Sequence, residues 1–351
     1  MVSFHITKKQ SKILSGIAIL LMLYHHMYCD PKRLECRYYS LLDVIFVEGT
    51  ELKLGWFCKL CVAFYSFITG YGICCSLKRI WSEVGIKGFL VKSYLYIFNH
   101  LLKVMKKYWL VFAIFIPLGY MLGVNQGKNI AYLITDFLGI THEFNSEWWY
   151  LLEYIVMLFS APVISLIVEC GGYKRKEIFT IIGILTLALL YCRVSNILIL
   201  NCLASQIMKS RMLIYFCVFL VGYICARWEL FNILNSSRFL YQWRIPIAIV
   251  LLSLCSVIRI IVVKSEIDSF IDIYIIAPIV WSLCRILEQL EKTKKVFEHL
   301  GRYSTYIWIT HTFFCYYYFQ DFITISKIST LMYLQLMFVS YVTARMLDLI
   351  I

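Results

Sequence analysis

Residues 148–168 read WWYLLEYIVMLFSAPVISLIV, with Glu153 as the single charged group. As a helix this run is ~31 Å long at ~1.5 Å per residue, which matches the hydrocarbon thickness of a bilayer. Its apolar residues are continuous and do not alternate, so it reads as a helix and not as a strand of a membrane barrel. Similar runs lie near 13–29, 56–77, 101–123, 178–192, 212–226, 245–263, 269–286, 303–319 and 329–347. Composition agrees: 61% of the 351 residues are hydrophobic and 16% charged, where soluble domains carry roughly 25% charged residues. A soluble fold would leave too much of this apolar surface in water. The fold class is therefore all-α, a polytopic transmembrane helical bundle of about ten spans.

Lysine and arginine set its orientation. With these spans, 22 basic residues fall on the side of the N-terminus, among them Lys8, Lys9, Lys12, Lys103, Lys106 and Lys107, and 10 on the other side, among them Lys32, Arg33, Lys53 and Lys128. The bias predicts that both termini are cytoplasmic and that the 30–55 loop faces out. It also accounts for most of the net charge of +13, so no nucleic-acid partner is implied. The apolar run after Lys12 has no small-residue cleavage site behind it, and the first helix is expected to be retained. No Pro- or Ser-rich linker or internal repeat divides the chain, which predicts a single domain over 1–351. The longest stretches between spans are 30–55 outside and 78–100 inside, and 130–140 reads as a short amphipathic or re-entrant segment.

The fourteen cysteines carry little chemistry. Most, such as Cys74, Cys217 and Cys284, lie in apolar runs, where cysteine behaves as a small hydrophobe. Cys58 and Cys61 form an isolated C-x-x-C without the second ligand pair of a zinc site, and no metal is expected. Spacing alone leaves open whether Cys29 and Cys36, both on the outer side, pair.

Ionisable groups inside a membrane are costly, and each is a candidate for function. In SKILSGIAILLMLYHHMY, His25 and His26 follow a nearly pure apolar run, and His26 stands ~20 Å along the helix from Ile13. An imidazole there suits a general base acting on a hydroxyl; a pair merely hydrogen-bonded at the interface is the competing reading. Glu147 reads as an interfacial carboxylate and Glu153 as a deeper one, functional or paired. His311, two turns into the ninth span, serves chemistry or helix packing equally well. Arg259 reads as a side chain that snorkels to the outer interface. Lys103, Lys106 and Lys107 precede Tyr108 and Trp109, as an anchor at the inner interface or as an electropositive mouth for a phosphate-bearing ligand.

Together these features resemble the membrane acyltransferase 3 family, multi-pass bacterial enzymes that move acyl groups, usually acetyl, onto extracytoplasmic sugars. Four segments carry the resemblance in order: SGIAILLMLYHH; AFYSFITGYGI, with Thr69 where the family has serine; KKYWLVF followed by EWWYLLEYIVMLFSAP; and LGRYSTYIWITHTF. The resemblance implies a cell-membrane enzyme with no permanently bound cofactor. Acyl-coenzyme A, acetyl-coenzyme A by the family's usual chemistry, would be the donor, and a carbohydrate the acceptor. It implies His26 as the catalytic histidine, ahead of His25, with His311, Glu153 and Tyr71 as supporting groups. Lys103, Lys106, Lys107 and Lys12 would hold the donor's phosphates. One departure stands out: the family's basic residue before the histidine falls on Ser15. Either Lys12, three residues earlier on the same helical face, stands in for it, or the donor is handled differently, or activity is lost. A polysaccharide polymerase or flippase, a secondary transporter and an inactive regulator on the same bundle remain the alternatives, and the oligomeric state is not legible.

Overall fold

The structure, a computed structural model, describes residues 5–34, 37–171, 210–233, 241–263 and 268–350. Among the described residues it is helical, with one isolated bridge between Tyr39 and Ile328 and no strand. The principal helices are α1 (Lys8–Tyr28), α2 (Thr50–Phe57), α3 (Leu60–Met121), α4 (Ala131–Phe137), α5 (Trp149–Cys170), α6 (Ser210–Arg227), α7 (Arg244–Ile261), α8 (Asp268–Leu287), α9 (Glu291–Thr312) and α10 (Ser329–Asp348). Among the described residues four helical stretches are long and apolar enough to cross a membrane: Thr50–Met121, Ser146–Cys170, Arg244–Ile261 and Ser269–Leu287. A shorter apolar helix covers Met212–Arg227. The span read at 178–192 lies outside the described residues, as does Cys36. The helices α1 and α10 coincide with the first and tenth expected spans, and α9 overlaps the first half of the ninth, read at 303–319; none of the three is among the four.

The chain forms two compact units, each assembled from three segments: Met1–Ser11, Val62–Phe98 and Val156–Lys294 in the first, and Lys12–Cys61, Asn99–Ile155 and Lys295–Ile351 in the second.

In the first unit α3 is not one rod. Gly85 has φ +61°, a backbone conformation that suits a residue without Cβ. The chain reverses there. The Tyr96 hydroxyl donates to Ser76 Oγ at 2.8 Å, whereas twenty residues of straight helix would hold them ~30 Å apart. The stretch read as a connection at 78–100 is thus a helical hairpin. Before the break, α3 lies backbone to backbone against α6: a Cβ on Gly70 would stand 2.0 Å from the Phe219 carbonyl oxygen, and one on Gly222 2.1 Å from that of Phe67. The two run parallel, as the Lys78–Glu229 ion pair at 3.2 Å further along confirms. The antiparallel pair α7 and α8 is pinned by Arg259, whose Nε stands 2.7 Å from Asp272 Oδ1 with both side chains fully buried. Arg259 therefore does not snorkel. A partner on the next helix makes it cheaper for the charge to stay inside than the sequence of α7 alone suggests.

In the second unit α1 and α9 touch through glycine. A Cβ on Gly16 would sit 2.0 Å from the Phe297 carbonyl oxygen, and one on Gly301 1.8 Å from that of Lys12. Small residues at such a crossing let two helices approach until their backbones meet. Ten residues beyond each glycine, ~15 Å along the axis, stand His26 and His311, whose ring centroids are 5.0 Å apart. The helices are thus parallel and in register. The later part of α3 runs with them, Lys107 against Tyr306 at 4.6 Å and Phe115 stacked on Phe313 at 4.5 Å. The turn that leads into α5 runs against α9, with the Trp148 indole donating to the Ile309 carbonyl at 3.0 Å and the Asn145 amide to Thr312 Oγ1 at 2.6 Å, and the first turn of α5 continues it, Tyr150 packing edge-on against Trp308 at 5.8 Å. The last helix, α10, is antiparallel to α1: the Tyr28 hydroxyl donates to the Ser329 carbonyl and that of Tyr333 to the Leu20 carbonyl at 3.1 Å. One end of this unit therefore gathers Lys12, Lys103, Lys106, Lys107 and Arg345, and the other His26 and His311.

The glycine contact makes a direct prediction. Gly16→Ala and Gly301→Ala should each cost ~1–3 kcal/mol by overpacking, seen as a lower melting temperature of the detergent-solubilised protein. Gly72→Ala in α3, where a Cβ meets nothing within 4 Å, should be neutral or stabilising because alanine is the better helix former.

Candidate active site

The site grows from the C-terminal end of α1. His25 and His26 are neighbours on the helix and so point ~100° apart, and the structure gives them different fates. His25 Nδ1 lies 2.7 Å from the Gly55 carbonyl; a carbonyl only accepts, so this nitrogen carries the proton. Gly55 reaches that position because α2 crosses the end of α1 without a side chain, a Cβ there lying 2.7 Å from the Tyr28 backbone. His25 is thereby spent on holding α2. His26 is buried, with Nε2 3.8 Å from Glu147 Oε2. Its Nδ1 is buried and makes no hydrogen bond.

His311 faces it from α9. Its Nδ1 donates to the carbonyls of Trp308 at 2.8 Å and Ile307 at 3.1 Å, which leaves Nε2 as the lone-pair nitrogen, buried and without a hydrogen bond. Two unengaged imidazole nitrogens thus lie in one buried pair of rings. Beyond Thr312 the helix widens into a π turn over Phe313–Tyr317. Such turns re-aim side chains and recur at functional sites. Here the turn brings the Tyr316 hydroxyl to the His26 carbonyl, to which it donates, and the Tyr317 hydroxyl to Ser146 Oγ at 3.0 Å.

Glu147 is held in turn. Asn145 caps the short turn Ser146–Trp148, its side chain accepting from the Glu147 N–H at 3.1 Å. Arg33 Nη1 donates to Glu147 Oε1 at 3.0 Å and to the Tyr316 hydroxyl at 3.2 Å. Partial burial works against the charge on Arg33, but Tyr316 and Glu147 more than restore it and hold the guanidinium above its ordinary range.

The other expected residues lie elsewhere. Glu153 is buried in α5, with a hydrogen bond to neither carboxylate oxygen, and it takes no part in the contacts of His26, Glu147 or Arg33. Tyr71 belongs to the first unit, where its hydroxyl accepts from the Ile6 N–H at 3.2 Å. Lys103 and Lys106 are exposed, whereas Lys107 is half-buried, 4.6 Å above the Tyr306 ring and 3.9 Å from Asp348. Lys12 is exposed at the start of α1, fourteen residues from His26, or ~21 Å along the axis. Among the described residues no group of three metal-ligating side chains occurs. The sequence reading passed over Arg33 and Tyr316. Their signals were present but plain: one basic residue in the loop after the first helix, and one of three tyrosines in FFCYYYF, which begins two residues after His311.

A multi-pass helical protein with a buried histidine pair backed by a carboxylate is equipped for proton transfer at a hydroxyl. The acyltransferase domain that defines the acyltransferase 3 family matches residues 12–346, nearly the whole chain. The chain belongs to that family and is a membrane acyltransferase, which sets aside the polymerase, flippase and transporter readings. No curated protein and no solved structure matches it.

Tyr316→Phe keeps the ring beneath Arg33 and removes the hydroxyl shared by Arg33 and His26. Loss of hydrogen bonds in a buried network costs ~1–3 kcal/mol, so the melting temperature of the purified protein should fall by a few degrees, and acyl transfer, if it needs Arg33 and His26 held in place, should fall roughly tenfold or more.

Proposed function

We propose that this acyltransferase moves an acyl group, acetyl in the first instance, from cytosolic acyl-coenzyme A to a hydroxyl of an extracytoplasmic or lipid-linked carbohydrate. The observation that carries the reading is the buried, hydrogen-bond-free His26 Nδ1, backed through Nε2 by Glu147 and flanked by His311. In this reading His26 Nδ1 takes the proton from the acceptor hydroxyl as its oxygen attacks the thioester carbonyl carbon. The carbon–sulfur bond breaks, the leaving thiolate recovers the proton from His26, and ester and free thiol result. Glu147 stabilises the transient imidazolium, and the 3.8 Å separation shortens as charge develops, as such contacts often do in the reacting complex.

The membrane arrangement belongs to the same proposal: about ten spans, both termini in the cytoplasm of a bacterial cell, and His26 near the outer face. The helix directions support it. In the second unit α1, α9 and the later part of α3 are parallel while α5 and α10 oppose α9 and α1, as odd and even spans of such a count would. The basic end of that unit then faces the cytoplasm, where Lys103, Lys106 and Lys12 meet the phosphates of the donor. The thioester arm reaches from there along the helices toward His26. Lys107, already engaged by Asp348 and Tyr306, contributes only if it exchanges those partners. Glu153 is kept as a buried group along that route.

Two outcomes test the reading, both from transfer of labelled acyl-coenzyme A to total cell glycans in membranes with matched protein levels. A general base typically contributes ~10²–10⁴-fold, so His26→Ala should lose at least ~10²-fold while His25→Ala, which removes only the bond to Gly55, should lose far less; full activity in His26→Ala overturns the mechanism. Changing Lys103, Lys106 and Lys107 together to Ala should raise the apparent donor constant about tenfold, at ~1.4 kcal/mol per decade. An unchanged donor constant would leave that cluster a topology signal alone.

A further inference from the structure

We infer that Arg33 is a positioning residue for the transfer reaction, acting through Glu147 to hold that carboxylate against His26. The inference rests on the general-base reading above.

The argument starts with the local sequence. Asp30, Pro31, Lys32 and Arg33 directly follow α1. Asp30 caps a short 3₁₀ turn over Pro31–Arg33, its side chain accepting from the Lys32 N–H at 3.2 Å, with proline at the first position. Proline's fixed φ and the side-chain cap make this turn stiff. The Gln320 amide donates to the Arg33 carbonyl at 2.6 Å and ties the turn to the segment after the π turn. Arg33 is therefore delivered to the end of α1 by a built connection.

Its side chain closes a ring of four groups. Nη1 meets Glu147 Oε1 and the Tyr316 hydroxyl, and the guanidinium lies 5.0 Å from the centre of the Tyr316 ring. Tyr316 donates to the His26 carbonyl, and Glu147 Oε2 faces His26 Nε2. The two oxygens of Glu147 thus have separate tasks, one taken by Arg33 and one turned to the histidine. Glu147 and His26 side chains are each 11% exposed. A carboxylate so withdrawn from water is costly unless it is paired, and arginine supplies both the charge and a fixed direction. Arg33 itself is 43% exposed, so it remains wetted while the groups behind it are not.

Direct contact between Arg33 and the acceptor is the rival, and a double-mutant cycle separates the two. Full-length Arg33→Gln, Arg33→Lys, Glu147→Gln and the double variants are purified in lipid nanodiscs. They are assayed with radiolabelled acetyl-coenzyme A and the total glycans of cell membranes, with His26→Ala in the same series. Arg33→Gln should lower apparent kcat roughly tenfold or more and leave the donor KM unchanged. Arg33→Lys, which keeps charge without the planar fork, should restore part of the rate. In the Glu147→Gln background neither arginine change should cost anything further. An additive loss in that background, or an unaltered rate in Arg33→Gln, overturns the inference. If Arg33→Gln does not yield folded protein, the cycle of Arg33→Lys with Glu147→Gln decides in the same way. A fully active His26→Ala would instead sink the general-base reading, and is read independently of the cycle.

Discussion

The contact on which the second unit depends is between two helices that lack side chains where they cross. Gly16 and Gly301 let the backbones of α1 and α9 meet. A backbone contact leaves none of the rotamer freedom by which larger side chains absorb a shift. The register of the two helices is thereby set, and ten residues further on it decides that His26 and His311 share a level. Every other part of the site is attached to that pair: the π turn continues α9, the Asp30–Arg33 turn continues α1, and the turn before α5 is bonded to the end of α9 through Asn145 and Trp148.

This arrangement also explains why α1 and α9 are not among the helices apolar enough to span alone. They carry histidines and hydroxyl groups that lipid would penalise, and they bury His26, Ser304, Thr310 and His311, while Lys8, Lys9 and Lys12 stay exposed at the start of α1. His25 illustrates the rule: a second imidazole at the membrane end is tolerated because Gly55 offers it a carbonyl. The buried imidazoles are thus gathered in the second unit, while the first unit buries the Arg259–Asp272 ion pair.

The all-helical fold and most helix positions were legible from run length alone, because a bilayer demands continuous apolar residues. That His26 ends an apolar helix was legible from the run before it; that it faces His311 was not. Partnerships were much less so. Glu147 was visible as a carboxylate, yet its link to Arg33 joins residues 114 positions apart, and nothing local announces it. Tyr316 was hidden by abundance among 26 tyrosines, and its aim depends on a π turn that periodicity does not reveal. Gly85 looked like part of a connection, although the single residue at positive φ keeps both flanks helical. Arg259 was misread for the same reason as Glu147: its counter-charge stands on another helix.

That last pair bears on how the protein is made. A charged side chain in a membrane helix raises the cost of entering lipid, by ~2.5–3.5 kcal/mol at the helix centre and by less toward the ends, where Arg259 and Asp272 stand. Arg259 and Asp272 are fully buried and 2.7 Å apart, on consecutive helices joined by a short connection. The first of these helices would enter the bilayer with an uncompensated charge if it left the insertion machinery before the second was synthesised. The favoured order is therefore for α7 and α8 to pair while still sheltered there and to enter lipid as one neutral hairpin. Insertion of this part of the chain by a pair of helices would follow, with the ion pair as the latch that holds the two together.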